Sequence, residues 1–223
     1  MYKNPYIKLA PPIRRPYTEI YLIRHCHPDY SLEKKLGEYY MPLSKAGKKQ
    51  RRYLTARLLE MGIDQIYSSG LPRSQETAAL FVKKSGLKMK VDLRLDEVHW
   101  KNWYRVKYFN MSETSRKERF KHHAVLDRKL DNMQAAARRT LADIWRSNRG
   151  RKVALFTHGN VTKALITGIL NADVLGFLAL EIFQSSISKL VIDRDGYIKV
   201  NSINDVEHLP HKPKEDLFIT LID

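Results

Sequence analysis

Thr18-Glu19-Ile20-Tyr21-Leu22-Ile23-Arg24-His25-Cys26-His27-Pro28 is the stretch from which the fold is read. Residues 18–23 combine β-branched and aromatic side chains with little charge, which predicts a buried strand. Apolar character stops at Arg24-His25, and the chain turns at Pro28. A polar pair at the carboxyl end of a core strand is where open α/β sheets place their ligands. The pattern returns in Val153-Ala154-Leu155-Phe156-Thr157-His158-Gly159-Asn160, a short apolar strand running into a histidine. It returns again in Gln65-Ile66-Tyr67-Ser68-Ser69-Gly70-Leu71-Pro72-Arg73, a strand running into an arginine just ahead of a helix. Three strand ends would then deliver Arg24, His25, Arg73 and His158 to one rim. Two arginines suit a phosphate, and two histidines suit chemistry on it.

Outward from these stretches, Ser44 is the expected cap of a helix that runs to Met61. Leu54, Leu58 and Met61 fall on one face of it, and Gly62 ends it. Ser74 is the expected cap of the next helix, which Gly86 ends. Residues 89–93 predict a short strand, 132–147 a helix with Ala137, Leu141, Ile144 and Trp145 on one face, and 152–156 a strand. Asn160 is the expected cap of a helix through Leu170. Residues 188–193 and 197–201 read as strands joined at Asp195-Gly196, a hairpin signal. Strands alternating with helices, then a hairpin, predict one α/β domain over residues 1–223: a three-layer α/β/α sandwich with a mainly parallel central sheet. Residues 1–16, with four prolines, predict an extended arm, and 29–41 a polar rim. Residues 101–130, first aromatic and then charged, predict a helical lid-like insertion that shapes the pocket, and 209–223 a C-terminal tail.

A chain of 223 residues, 43% hydrophobic, is long enough for one full core. Cys26 is the single cysteine, so no internal disulfide forms; a reducing, cytoplasmic setting is expected. The first residues lack an apolar signal core. The most apolar long stretch, 164–183, is interrupted by Asn171, Asp173 and Glu181; Asn171-Ala172-Asp173 reads as a turn with a fresh helix cap, so two packed helices are expected rather than a membrane span. Forty basic residues against 24 acidic ones give a net charge of +16, a field that favours anionic partners. The basic residues are spread along the chain without a recognised nucleic-acid module, so a solvated basic surface is preferred to a nucleic-acid site. Nothing in the sequence sets an oligomeric state.

Arg24-His25, the run from Tyr67 through Pro72-Arg73 to Thr77-Ala78, and Thr157-His158-Gly159 together resemble the signatures of the histidine phosphatase superfamily, phosphoglycerate-mutase-like branch. They stand in that family's order over about residues 18–208. Arg-His alone is a weak signal; three motifs in order, each at a predicted strand end, are a strong one. The resemblance implies the phosphoglycerate-mutase-like fold and phosphoryl transfer from a small phosphorylated substrate, with no cofactor and no metal. His25 is the expected nucleophile, since neutral imidazole can attack phosphorus. Arg24 and Arg73 are the expected phosphate clamps, because guanidinium matches phosphate oxygens bidentately and stays charged. His158 is expected to donate to the transferring phosphoryl group, with Gly159 allowing close backbone approach. Glu97 is the expected general acid, with Asp96 as the alternative assignment.

The sequence also departs from that pattern. Cys26 replaces the glycine usual after Arg-His and is expected to be a packed, inert thiol. His99 and Lys101 stand where an acidic residue and a glycine are common, and the asparagine often found several residues after the histidine is missing from Pro28-Asp29-Tyr30-Ser31. His99, Lys101, Arg105 and Lys107, with Trp100, Trp103 and Tyr104, would make a basic, aromatic mouth suited to a nucleotide or sugar phosphate; packing of the lid onto the sheet explains the same aromatics equally well. The expected reaction is metal-independent hydrolysis of a phosphomonoester through phosphohistidine. Mutase-type transfer between positions of a phosphoglycerate is the alternative. Two other readings remain: a binding protein that lost catalysis, and a metal hydrolase in which His25-Cys26-His27-Pro28-Asp29 supplies alternate ligands.

Overall fold

A computed structural model of the chain describes residues 14–100 and 113–210, the side chains of 113–124 excepted. Most of the expected arm, residues 101–112 of the expected insertion and most of the expected tail lie outside the described residues.

Strand β1, Thr18–Arg24, is central. With β2 (Gln65–Ser68), β3 (Met89–Val91), β4 (Lys152–Thr157), β5 (Ile187–Ile192) and β6 (Ile198–Asp205) it forms one six-stranded sheet of order β3-β2-β4-β1-β5-β6. The first four in that order run parallel; β5 is antiparallel to both β1 and β6. Because β2, β4 and β1 are adjacent and parallel, their carboxyl ends leave the sheet on one edge.

Side chains alternate across a strand, so neighbours along β1 serve different layers. Ile20 and Leu22, with Val153 and Leu155 of β4, join a core with Leu130, Met133, Leu141 and Ile144 of α4 (Glu113–Ser147), Ala164 and Leu165 of α5 (Gly159–Ile169), and Phe177 of α6 (Val174–Ala179). Tyr21 and Ile23, with Ala154 and Phe156, pack instead on Leu54 and Leu58 of α2 (Lys45–Glu60) and Ala78 and Phe81 of α3 (Pro72–Ser85). These two apolar faces make the sandwich. The short helix α1, Glu33–Leu36, lies in the rim segment between β1 and α2.

Several helix boundaries follow the sequence. Ser44 Oγ accepts the Gly47 amide at 3.1 Å, and Gly86 closes α3 in the left-handed region. Asp173 caps α6 through the amides of Leu175 and Gly176, as expected of a turn at Asn171-Ala172-Asp173.

Others are corrected. Helix α3 begins at Pro72, whose missing amide is no loss in a first turn, so Arg73 lies inside the helix and Ser74 is not its cap. The Ser74 hydroxyl instead donates to the Phe156 carbonyl at 2.8 Å, tying α3 to β4. Helix α5 begins at Gly159, and the Asn160 amide group donates to the Val98 carbonyl at 3.0 Å rather than capping. The third strand stops at Val91. The helix expected from 132 is the second half of the single 35-residue α4. The stretch 113–147 contains neither glycine nor proline, and Leu130, Met133, Ala137, Leu141 and Ile144 continue one apolar stripe, so nothing breaks the helix.

Candidate active site

Arg24 ends β1. The chain then leaves the sheet under tight backbone control: the His25 amide donates to the Thr157 carbonyl at 2.9 Å. The Ser185 amide donates to both the Arg24 and the His25 carbonyls, at 3.1 and 3.2 Å. Ser185 holds φ = 67°, a left-handed conformation unusual outside glycine, which turns its amide back onto the loop after β1. The Cys26 amide donates to Thr77 Oγ1 of α3 at 3.0 Å. The backbone of the loop after β1 is therefore fixed from β4, α3 and the β5 approach at once.

His25 is 4% exposed, and its Nδ1 lies 2.8 Å from the Cys26 carbonyl oxygen. A carbonyl can only accept, so Nδ1 carries the proton and the neutral ring keeps a lone pair on Nε2. Burial first, then the neighbouring His158 ring and the charges of Arg24 and Arg73, hold its pKa well below the ordinary imidazole value. His158 stands beside it, ring centroids 5.1 Å apart, fully buried behind the cleft surface. Burial and the two arginine charges keep His158 neutral as well. Its Nε2 lies 2.8 Å from Ser69 Oγ, while its Nδ1 has no partner among the described residues.

The Arg24 Nη1 group donates to the Ile182 carbonyl, and its Nε is buried without a partner among the described residues. A Cβ at Gly159 would stand 3.3 Å from that Nε, so glycine there makes room for the guanidinium. Arg73, 4% exposed, uses Nη1 to donate to the carbonyls of Glu38 and Tyr39 at 2.9 and 3.3 Å. It thus holds the rim segment against the cleft.

Glu97 and Asp96 part ways. Asp96 Oδ1 accepts the Gly70 amide at 2.6 Å and holds the β2–α3 turn. Glu97 lines the cleft instead. Burial pushes its carboxyl up to about 7, against the pull of Arg24 and Arg73. A carboxyl poised there can both give and take a proton near neutrality.

The cleft holds ≈ 250 Å³ and brings together Arg24, His25, Arg73 and Glu97. Its lining adds groups that the sequence did not mark as site residues: Glu33 and Glu38 from the rim, Asn160 and Lys163 from α5, and Glu181. Lys163 is 4% exposed, and burial lowers its pKa while Glu181 opposes the shift.

Of the expected basic, aromatic mouth, only His99 and Trp100 fall within the described residues, and Trp100 lines the cleft. His99 Nδ1 lies 3.3 Å from Glu38 Oε2. Trp100 packs on Phe177 at 4.9 Å between centroids. Lys101, Trp103, Tyr104, Arg105 and Lys107 lie outside the described residues. Cys26 is fully buried, with its thiol pushed up to about 11 by burial, which makes it a packed, unreactive group. The proposed metal ligands point elsewhere: His27 Nδ1 lies 2.9 Å from Ser44 Oγ, and Asp29 accepts from Ser31. Among the described residues, no group of three such side chains is placed to hold a metal ion.

This fold and site define a class. Residues 20–206 match the histidine phosphatase superfamily (branch 1), and the chain belongs to it, a superfamily of phosphatase-type enzymes. Among similar proteins is a probable phosphoglycerate mutase, GpmB, of Enterobacter sp. (strain 638), 24% identical over 213 residues, covering 89% of this chain and 98% of the relative. The phosphoserine phosphatase of Entamoeba histolytica, solved in complex with phosphoserine, superposes with a TM-score of 0.67 at 21% identity, over 86% of this chain and 99% of that one. A mycobacterial glucosyl-3-phosphoglycerate phosphatase superposes with a TM-score of 0.62 at 22% identity, over 83% and 98% of the two chains.

Proposed function

We propose that this chain hydrolyses a small phosphomonoester through a phosphorylated His25, without a metal ion. The observation that carries the reading is the state of His25: a neutral ring whose Nδ1 donates to the Cys26 carbonyl, leaving the Nε2 lone pair beside two arginines. Nε2 attacks phosphorus, and the P–O bond to the alcohol breaks. The leaving oxygen takes the proton of Glu97. Arg24, Arg73 and the His158 N–H hold the equatorial oxygens, the positions where charge must be met in phosphoryl transfer. The Glu97 carboxylate then takes a proton from water as the water oxygen attacks phosphorus. The P–N bond breaks, phosphate leaves, and both His25 and protonated Glu97 are restored.

Cleft size and lining support a small substrate. A volume of ≈ 250 Å³ lies under the roughly 300–1,000 Å³ usual for drug-sized ligands. Buried Lys163 offers a cation for a second anionic group, while Glu33 and Glu38 at the mouth oppose a long polyanion. The relatives that act on phosphoserine and glucosyl-3-phosphoglycerate, and the relative named a probable phosphoglycerate mutase, are consistent with a compact, carboxylate-bearing ester and keep mutase transfer as the second reading. The single buried cysteine supports a reducing, cytoplasmic setting.

The test is turnover of an aryl phosphate, O-phosphoserine and 3-phosphoglycerate, with and without chelator. We expect phosphate release that survives chelation, and acid-labile, base-stable label on the protein that His25→Ala removes. Interconversion of 2- and 3-phosphoglycerate without phosphate release would establish the mutase instead. Full activity of His25→Ala would overturn the mechanism.

A further inference from the structure

Ser69 is part of the motif that marks the second strand end, yet the steps above give it no task. It is fully buried and tied on every side. Its amide donates to the Phe156 carbonyl at 2.9 Å, and its own carbonyl accepts the Ser68 hydroxyl at 3.0 Å. Its Oγ accepts the Leu71 amide at 3.3 Å and lies 2.8 Å from His158 Nε2. Among the described residues, the only acceptor in reach of the Ser69 hydroxyl proton is that ring nitrogen. A nitrogen that accepts carries no proton, so the single proton of a neutral His158 sits on Nδ1. Nδ1 is the buried atom without a partner among the described residues, on a ring that neighbours His25 and feels the charges of both Arg24 and Arg73.

We propose that Ser69 is a positioning residue: by donating to Nε2 it holds His158 as the Nδ1–H tautomer, so that a neutral histidine presents a donor to the phosphoryl group on His25. The alternative tautomer would turn a lone pair toward the anion and repel it. Burial, with the charges of Arg73 and Arg24, keeps the ring from gaining a second proton, so the tautomer, not the charge, decides whether His158 helps. A tautomer set by the group on the far nitrogen is the general way proteins orient a working histidine. The kinetic consequence rests on the phosphohistidine reading; the tautomer itself does not.

The experiment is nitrogen-15 NMR of histidine-labelled protein, which reports the protonated nitrogen of each ring, together with kinetics on an aryl phosphate. In the wild-type protein, His158 is expected to carry its proton on Nδ1. Ser69→Ala is expected to move it wholly or partly to Nε2 and to lower kcat roughly tenfold or more, with KM within about twofold. Ser69→Thr, which keeps the hydroxyl, is expected to restore both. A wild-type His158 protonated on Nε2, or a Ser69→Ala protein with unchanged tautomer, overturns the proposal without any need for the variant to be active. The expected tautomer in a protein that turns over no phosphomonoester supports the assignment and overturns the function proposed above.

Discussion

Glu97 is the residue whose environment most directly sets a measurable profile. Its carboxyl is raised by burial to about 7, and in the mechanism proposed above the protonated form is the one that protonates the leaving alkoxide. As pH rises through about 7 that form is lost, so kcat for alkyl phosphates should fall on the alkaline side. His25 should add no limb near its ordinary value, because burial and neighbouring charge hold it well below. Glu97→Gln should slow alkyl phosphates by about 10²–10⁴, slow aryl phosphates far less, and remove the alkaline limb. A profile unchanged by Glu97→Gln would take the proton-transfer role away from it. The same shift has a stability consequence. The folded value lies above the ordinary 4.5, so protonation favours the native state: the contribution is full below pH 4.5 and is lost as pH rises through about 7. Thermal melts across that window should show Glu97→Gln flatter with pH than the wild type.

At the scale of elements, the site depends on how closely α5 and α2 approach the loop after β1. Gly159 opens α5 against the Arg24 side chain, and an added Cβ at 3.3 Å from Nε would push the guanidinium by a few tenths of an ångström. Gly159→Ala should therefore fold normally and lose roughly tenfold in kcat/KM, because small misplacements of a positioned group are costly. An unchanged kcat/KM would show that Arg24 tolerates the shift. Leu58 tests the other link, packing to stability. It is fully buried between α2 and the sheet. Leu58→Ala should cost about 2–5 kcal/mol in denaturant unfolding, from lost transfer energy and the cavity left behind. A cost under about 1 kcal/mol would mean that α2 collapses into the gap.

Over the whole molecule, the +16 charge and the cleft do not match. The described lining carries Glu33, Glu38, Glu97 and Glu181 against Arg24, Arg73 and Lys163. Among the described residues, basic side chains stand on outer faces, as on α2, where Lys45, Lys48, Lys49 and Arg52 are all exposed. Long-range attraction should bring anions to the surface, but the mouth should not select the most anionic among them. Nucleoside triphosphates should therefore show lower kcat/KM than a small monophosphate at both low and high salt. Polyanions proving best, with a steep loss in salt, would place the basic excess at the site after all. Among the described residues no helix is long and apolar enough to cross a membrane.

The three apolar runs that end in Arg24-His25, Ser69 and Thr157-His158 were legible because burial on both faces of a parallel strand leaves a local, continuous signature. The same holds for the caps at Ser44 and Asp173 and for the glycines after α2 and α3, whose chemistry is local. Long-range packing was not legible. Motif type placed Arg24, His25, Arg73 and His158 at strand ends, but the order that sets β4 between β1 and β2 comes from pairing distant segments, Glu19 with Lys152 and Gln65 with Val153. Asp96 and Glu97 are adjacent and chemically alike; only the Gly70 amide, close in space, takes one and leaves the other to the cleft. Lys163 looks like any helical lysine until the fold buries it beside Glu181, and Ser69 like any turn serine until β4 brings His158 to 2.8 Å. Residue type and spacing along the chain determined which chemistry was available. Which groups lose their water, and which nitrogen keeps its proton, was decided by neighbours that only the folded chain brings together.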